Sequence, residues 1–132
     1  MTQTARRFIL VDDDPLNNFL TKMILKKTFG EVLVNDFTVP EDGLEFLKFE
    51  TEKNATNRKT TLFLDINMPT LSGWEFLEAF ERLDASIKEQ YTIYILSSSV
   101  NLNDIDFAQT NPLVSDFIEK PLNKAKLIKI LG

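Results

Sequence analysis

Phe8-Ile9-Leu10-Val11-Asp12-Asp13-Asp14-Pro15 is an unbroken apolar run that ends in three acids and a proline. A continuous run fits a strand buried on both faces, whereas a half-exposed strand would alternate. Pro15 suits the first turn of a helix, where its missing N–H costs nothing, and an Asp just before it suits the N-cap. Leu16, Phe19, Leu20, Met23 and Ile24 then recur at helical spacing, and Gly30 reads as the stop. The same unit repeats along the chain. Val32-Leu33-Val34 precedes a helix opened by Pro40-Glu41-Asp42 and carrying Leu44, Leu47 and Phe46 or Phe49. Leu62-Phe63-Leu64 ends at Asp65, and Ser72-Gly73-Trp74-Glu75 fits a capping box ahead of Phe76, Leu77, Phe80 and Leu83. Ile93-Tyr94-Ile95-Leu96 ends in Ser97-Ser98-Ser99, before a weaker helix with Leu102, Ile105 and Phe107. Phe117-Ile118 ends at Glu119-Lys120-Pro121, before a last helix with Leu122, Ala125, Ile128 and Leu131. The stretch from Glu50 to Thr60 is polar and reads as an exposed, elongated loop. Five strands alternating with five helices predict an α/β fold, a parallel sheet covered on both faces by right-handed connections.

The 132 residues, 43% of them hydrophobic and 27% charged, suit one domain with a real core, spanning 1–132. Fifteen basic residues against twenty acidic ones leave a net charge of −5. Such a surface is poorly suited to coating nucleic acid or an anionic membrane. There is no cysteine and no histidine. That excludes disulfides, thiolate or imidazole metal sites and Ser-His-Asp catalysis. No apolar run reaches the ~18 residues a membrane span needs, and the polar N-terminus lacks the apolar core of a signal peptide, so the cytoplasm is the expected compartment. The lysines at 22, 26 and 27 and at 124, 126 and 129 read as solvated helix faces.

In an open parallel sheet, ligands bind beyond the carboxyl ends of the strands. Asp12 and Asp13 stand after the first run, Asp65 after the third, Ser97 after the fourth and Lys120 after the fifth. Three carboxylates gathered there would repel by roughly 3 kcal/mol per pair at about 5 Å and an effective dielectric of about 20. Protonation or a bound cation must relieve them. Hard oxygen donors without nitrogen or sulfur favour Mg²⁺, and Mg²⁺ with carboxylates and phosphate is a phosphoryl-transfer arrangement. A carboxylate can be its nucleophile, and a hydroxyl and an ammonium serve the phosphoryl oxygens. Taken singly, each residue has a plainer reading: an N-cap for the acids, a solvated lysine, a capping serine, a core phenylalanine at 117. Their order at successive strand ends carries the chemical one.

The motifs Val11-Asp12-Asp13-Asp14-Pro15, Leu64-Asp65-Ile66-Asn67-Met68-Pro69 with Gly73, Leu96-Ser97-Ser98 and Phe117-Ile118-Glu119-Lys120-Pro121 resemble the receiver domain of two-component response regulators. The resemblance runs from about Arg7 to Leu131. It implies the flavodoxin-like strand order 2-1-3-4-5 and a chain that regulates rather than catalyses beyond its own phosphorylation and dephosphorylation. It implies that Asp65 is the phospho-acceptor and that Asp12, Asp13, Asp65 and the Asn67 carbonyl hold Mg²⁺, Asp12 mainly through a metal-bound water. Lys120 pairs with the phosphoryl oxygens, before a cis bond to Pro121. Ser97 and Phe117 are the switch residues, and Asn67 and Ser99 tune dephosphorylation. The expected partners are a sensor histidine kinase or histidine phosphotransfer protein, and a downstream protein met by the fourth helix, fifth strand and fifth helix. Neither nucleic acid nor membrane is contacted directly, and the chain is either free-standing or part of a longer one.

Other classes fit less well. An aspartyl-phosphate hydrolase wants a second carboxylate two residues after the nucleophile, where Asn67 stands. A flavin carrier wants a phosphate cradle after the first strand, where three aspartates would repel it. A receiver-shaped binding module that takes no phosphate remains the alternative.

Overall fold

The structure, a computed structural model, describes residues 6–50, 60–98 and 101–132. Along the chain stand β1 (Arg6–Val11), α1 (Pro15–Phe29), β2 (Val32–Phe37), α2 (Pro40–Glu50), β3 (Thr60–Asp65), α3 (Gly73–Glu81), α4 (Ala85–Lys88), β4 (Tyr91–Ser97), α5 (Leu102–Thr110), β5 (Val114–Glu119) and α6 (Lys124–Leu131). The strands pair in parallel in the order β2-β1-β3-β4-β5, as the resemblance implies. Residues 51–59 lie outside the described residues, and the reading of an elongated loop there lies outside them too.

The continuous apolar runs are explained by two cores, one on each face of the sheet. Ile9, Val11, Leu62, Leu64, Ile93 and Ile95 face Leu47 of α2 and Phe76, Leu77 and Phe80 of α3. Phe8, Leu10, Phe63, Tyr94 and Leu96 face Leu25 of α1 and Leu127 of α6. On that second face aromatic rings cross the sheet from Phe29 to Phe8 (6.1 Å), to Phe63 (6.1 Å) and to Tyr94 (5.8 Å). β3, in the middle, is buried at all six positions and delivers Asp65 at its end.

Helix faces depart from the periodicity reading. Leu16, Phe19, Leu20 and Met23 are 63%, 57%, 51% and 53% exposed, and α1 instead turns Asn18, Thr21 and Leu25 inward. That inward face combines a polar anchor, the Asn18 amide donating to the Asp12 carbonyl at 3.0 Å, with Leu25, Ile24 and Phe29 packed on the second core. In α6 the buried residue is Leu127, while Ala125 and Ile128 are exposed. The chain also forms six helices among the described residues rather than five. The addition, α4, is a single turn whose only apolar contact with the core is Ile87, too short to show a period. The fourth and fifth helices of the sequence reading are therefore α5 and α6.

The ends are chemically defined. Asp14 caps α1, accepting from the Leu16 N–H at 3.0 Å, and Gly30 closes it with φ +79°. The Ser72/Glu75 capping box of α3 is present in both directions. Gly73 seats this helix on the end of β3. A Cβ there would lie 2.6 Å from the Asp65 carbonyl oxygen and 2.8 Å from Ile66 Cα. Gly73→Ala is expected to lower stability by about 2 kcal/mol, against about 1 kcal/mol for Gly30→Ala, in urea unfolding. A smaller loss at position 73 than at position 30 would show that the β3–α3 junction yields freely.

Candidate functional site

β1 and β3 are neighbours, with Val11 opposite Leu64, so Asp12 and Asp65 emerge side by side. Both are buried, and Asp13 is exposed. One oxygen from each of the three lies within 4.8 Å of the others. The donor set is all hard oxygen, which fits a divalent metal ion. β4 and β5 complete the site. Ser97 is fully buried and pairs in register with Glu119, which puts Lys120 one residue beyond. The Lys120 N–H donates to the Ser97 carbonyl at 2.8 Å, and the Lys120–Pro121 bond is cis. Its ammonium stands 2.7 Å from Asp12 Oδ2 and 3.4 Å from Asp65 Oδ1.

One ammonium does not balance three carboxylates. Burial raises the Asp65 pKa, the charges of Asp12 and Asp13 raise it further, and Lys120 offsets only part, leaving it at about 6. For Lys120, burial works against the charged form, but the hydrogen bond and charge of Asp12, aided by Asp65, outweigh it and raise its pKa. A cation among the acids would reverse the Asp65 shift.

The remaining expected residues are more dispersed. Asn67 is exposed, in a cleft it shares with Pro69, Ser72, Trp74 and Asp104. Phe117 is half-buried and packs on the α2/α3 core. Ser99 lies outside the described residues. Two asparagines that sequence reasoning passed over join the site. Asn17 donates to Asp12 Oδ2 at 2.6 Å, and Asn18, fully buried, holds the Asp12 backbone carbonyl. A paired asparagine on the first turn after an acidic strand end was the available signal. Trp74 is half-buried; its Nε1 donates to Asp104 at 3.1 Å and its ring meets Phe107 at 4.4 Å, joining the start of α3 to α5.

The raised Asp65 pKa sets the sign of a pH effect. The native state holds this proton up to about pH 6, while the ordinary value is 3.8. Between these values the folded chain binds more proton than the unfolded one, so stability falls as pH rises through the window. Without added metal, the Asp65 contribution should fall by about 3 kcal/mol from pH 3.5 to 6.5, and Asp65→Asn should remove that part of the slope. Chemical unfolding of both proteins across this range measures the difference. Parallel pH profiles would contradict the shift.

The family model for the response regulator receiver domain matches residues 8–132. A response regulator receiver protein from Dyadobacter fermentans DSM 18053 is 28% identical, with a TM-score of 0.85, covering 96% of this chain and 95% of that one. A two-component response regulator from Cytophaga hutchinsonii is 26% identical, with a TM-score of 0.85, covering 97% and 95%. Hybrid signal transduction histidine kinase I of Dictyostelium discoideum is 27% identical over 129 residues, which make up 96% of this chain but 7% of that protein. The chain thus spans a small fraction of that relative. Among the described residues no helix is long and apolar enough to cross a membrane. Matched from Phe8 to its last residue, the chain belongs to the response regulator receiver domain family, regulatory modules of two-component signal transduction rather than enzymes in the ordinary sense.

Proposed function

We propose that the chain is a phospho-acceptor switch in which Asp65 takes a phosphoryl group from a histidine kinase or a histidine phosphotransfer protein. The observation that carries this reading is the placing of Asp65, buried at the end of the central strand, beside two more acids and 3.4 Å from an ammonium. Asp12, Asp13, Asp65 and the Asn67 carbonyl are the groups we assign to Mg²⁺. The ion, when bound, supplies charge neutralisation for the acids and for the incoming phosphoryl oxygens.

In the transfer, an Asp65 carboxylate oxygen attacks phosphorus as the bond from phosphorus to the donor imidazole nitrogen breaks, its electron pair leaving with the imidazole. Asp65 must be ionised to attack, which its pKa of about 6 allows at neutral pH. Lys120 turns its ammonium to the phosphoryl oxygens, and the Ser97 hydroxyl hydrogen-bonds another of them. Ser97 and Phe117 lie on the adjacent strands β4 and β5, so a change at one bears on the other. Asn67 and Ser99 tune the return hydrolysis. The readout is a two-state bias of the α5–β5–α6 surface toward a downstream protein.

The exposed apolar residues of α1 support partner access. Leu16, Phe19, Leu20 and Met23 follow i, i+3, i+4, i+7 spacing, so they form one outward face that begins two residues after the Asp14 cap. A protein presenting a phosphohistidine to Asp65 has this stripe within reach. The acidic surface, at a net charge of −5, fits a protein partner better than nucleic acid, and the reading places the chain in the cytoplasm.

Phosphoryl-donor or beryllofluoride uptake with and without Mg²⁺ tests the reading. The wild type should gain one phosphoryl group, ~80 Da by intact mass, only when Mg²⁺ is present, and Asp65→Asn should gain none. A shift in Trp74 fluorescence should accompany uptake. Absence of uptake from every donor would leave a receiver-shaped binding module and remove the roles given to Asp65, Ser97 and Lys120.

A further inference from the structure

Asn17 has no part in the transfer as described, yet it makes one of the shortest contacts at the site. It sits in the first turn of α1, held there by Pro15 and the Asp14 cap. Its Nδ2 donates at 2.6 Å to Asp12 Oδ2, the oxygen that also accepts from Lys120 Nζ at 2.7 Å. Asp12 Oδ1 accepts the Asp14 N–H at 3.0 Å. Three donors therefore hold the Asp12 carboxylate. Asp13 has no hydrogen-bond or ion-pair partner among the described residues.

The lysine is shared, 2.7 Å from Asp12 and 3.4 Å from Asp65. A phosphoryl group on Asp65 requires that ammonium, and the ammonium that turns to it withdraws from Asp12 Oδ2. Asp12 is only 5% exposed, and a buried carboxylate oxygen that loses its donor is disfavoured even while the Asp14 N–H stays on Oδ1. We propose that Asn17 is a positioning residue of the phosphoryl site: its amide stays on Asp12 Oδ2 when Lys120 moves, holding Asp12 in place and easing release of the lysine. This inference rests on the phospho-acceptor reading and adds a residue to it. The neutrality of the amide matters. A cation at position 17 would compete with Lys120 for the phosphoryl oxygens, and a carboxylate would repel them.

The role of Asn17 differs between the two states of the site. Without a phosphoryl group, Asp12 Oδ2 in Asn17→Ala still has Lys120. With one, it has neither donor, and only the Mg²⁺ assigned to the acids is left to hold that side of Asp12. Calorimetric titration of the full chain with beryllofluoride at saturating Mg²⁺, and separately with Mg²⁺ alone, reads the two states. Asn17→Ala should bind beryllofluoride about tenfold more weakly, the loss of one hydrogen bond to a charged group. Its Mg²⁺ affinity should stay within about twofold of wild type, since that state keeps the Lys120 contact. Asn17→Gln, which keeps the donor, should recover part of the loss. Asn17→Asp, which removes the donor and adds charge, should bind beryllofluoride more weakly than the alanine variant but Mg²⁺ more tightly. A beryllofluoride affinity in Asn17→Ala within twofold of wild type would overturn the proposal. So would equal proportional losses for beryllofluoride and Mg²⁺, which would leave Asn17 a mere support of the acidic cluster. A wild type that binds Mg²⁺ but takes neither beryllofluoride nor phosphoryl would instead sink the phospho-acceptor reading, and this inference with it.

Discussion

A single ammonium set among three carboxylates is the interaction on which the structure turns. Lys120 bonds Asp12 and approaches Asp65, yet it leaves the cluster short of positive charge. Burial first, and that shortfall with it, push the Asp65 proton affinity up, and the three acids together make the site receptive to a cation. Such a cluster is tolerable because it is built on rigid backbone. The acids leave neighbouring parallel strands, the lysine leaves the last strand, and its own N–H is tied to the Ser97 carbonyl. The two cores that clamp the sheet supply the apolar burial that offsets the repulsion at its edge.

Much of this was readable from residue order alone. Unbroken apolar runs pointed to strands covered on both faces, and the two cores bear that out for β1, β3 and β4, while in the edge strand β2 Leu33 is 55% exposed. The acids, serine and lysine were found because a parallel sheet exposes its strand ends on one edge, so position along the chain translates directly into proximity. Helices lack that property. A helix can take any rotation about its axis, and in α1 the inward face holds Asn18, bonded to the Asp12 carbonyl, and Leu25, while the most apolar-looking face points outward. Periodicity counts apolar residues and cannot weigh a buried amide against them. The single turn of α4 went unread for a simpler reason, since one apolar residue makes no pattern.

Direct contacts also join the site to the neighbouring helices. Gly73 brings the start of α3 onto the Asp65 backbone so closely that a methyl group would not fit. The next residue, Trp74, bonds Asp104 and packs its ring at a tilt against Phe107, so the β3–α3 junction and α5 share one contact. Ser97 and Phe117 lie on the two strands that support α5 and α6. On the phospho-acceptor reading, a switch would need no long chain of intermediates, because each of these contacts spans adjacent elements.

The two sides of α1 answer to different demands. Inward, Asn17 and Asn18 are committed to Asp12, and a change there touches the chemistry. Outward, Leu16, Phe19, Leu20 and Met23 bury little, and the fold asks little of them. On the phospho-acceptor reading, substitutions on the outer side would alter what a partner meets while the inner side keeps its hold on Asp12. The helix thus separates the residues the fold has committed from those it leaves open to change.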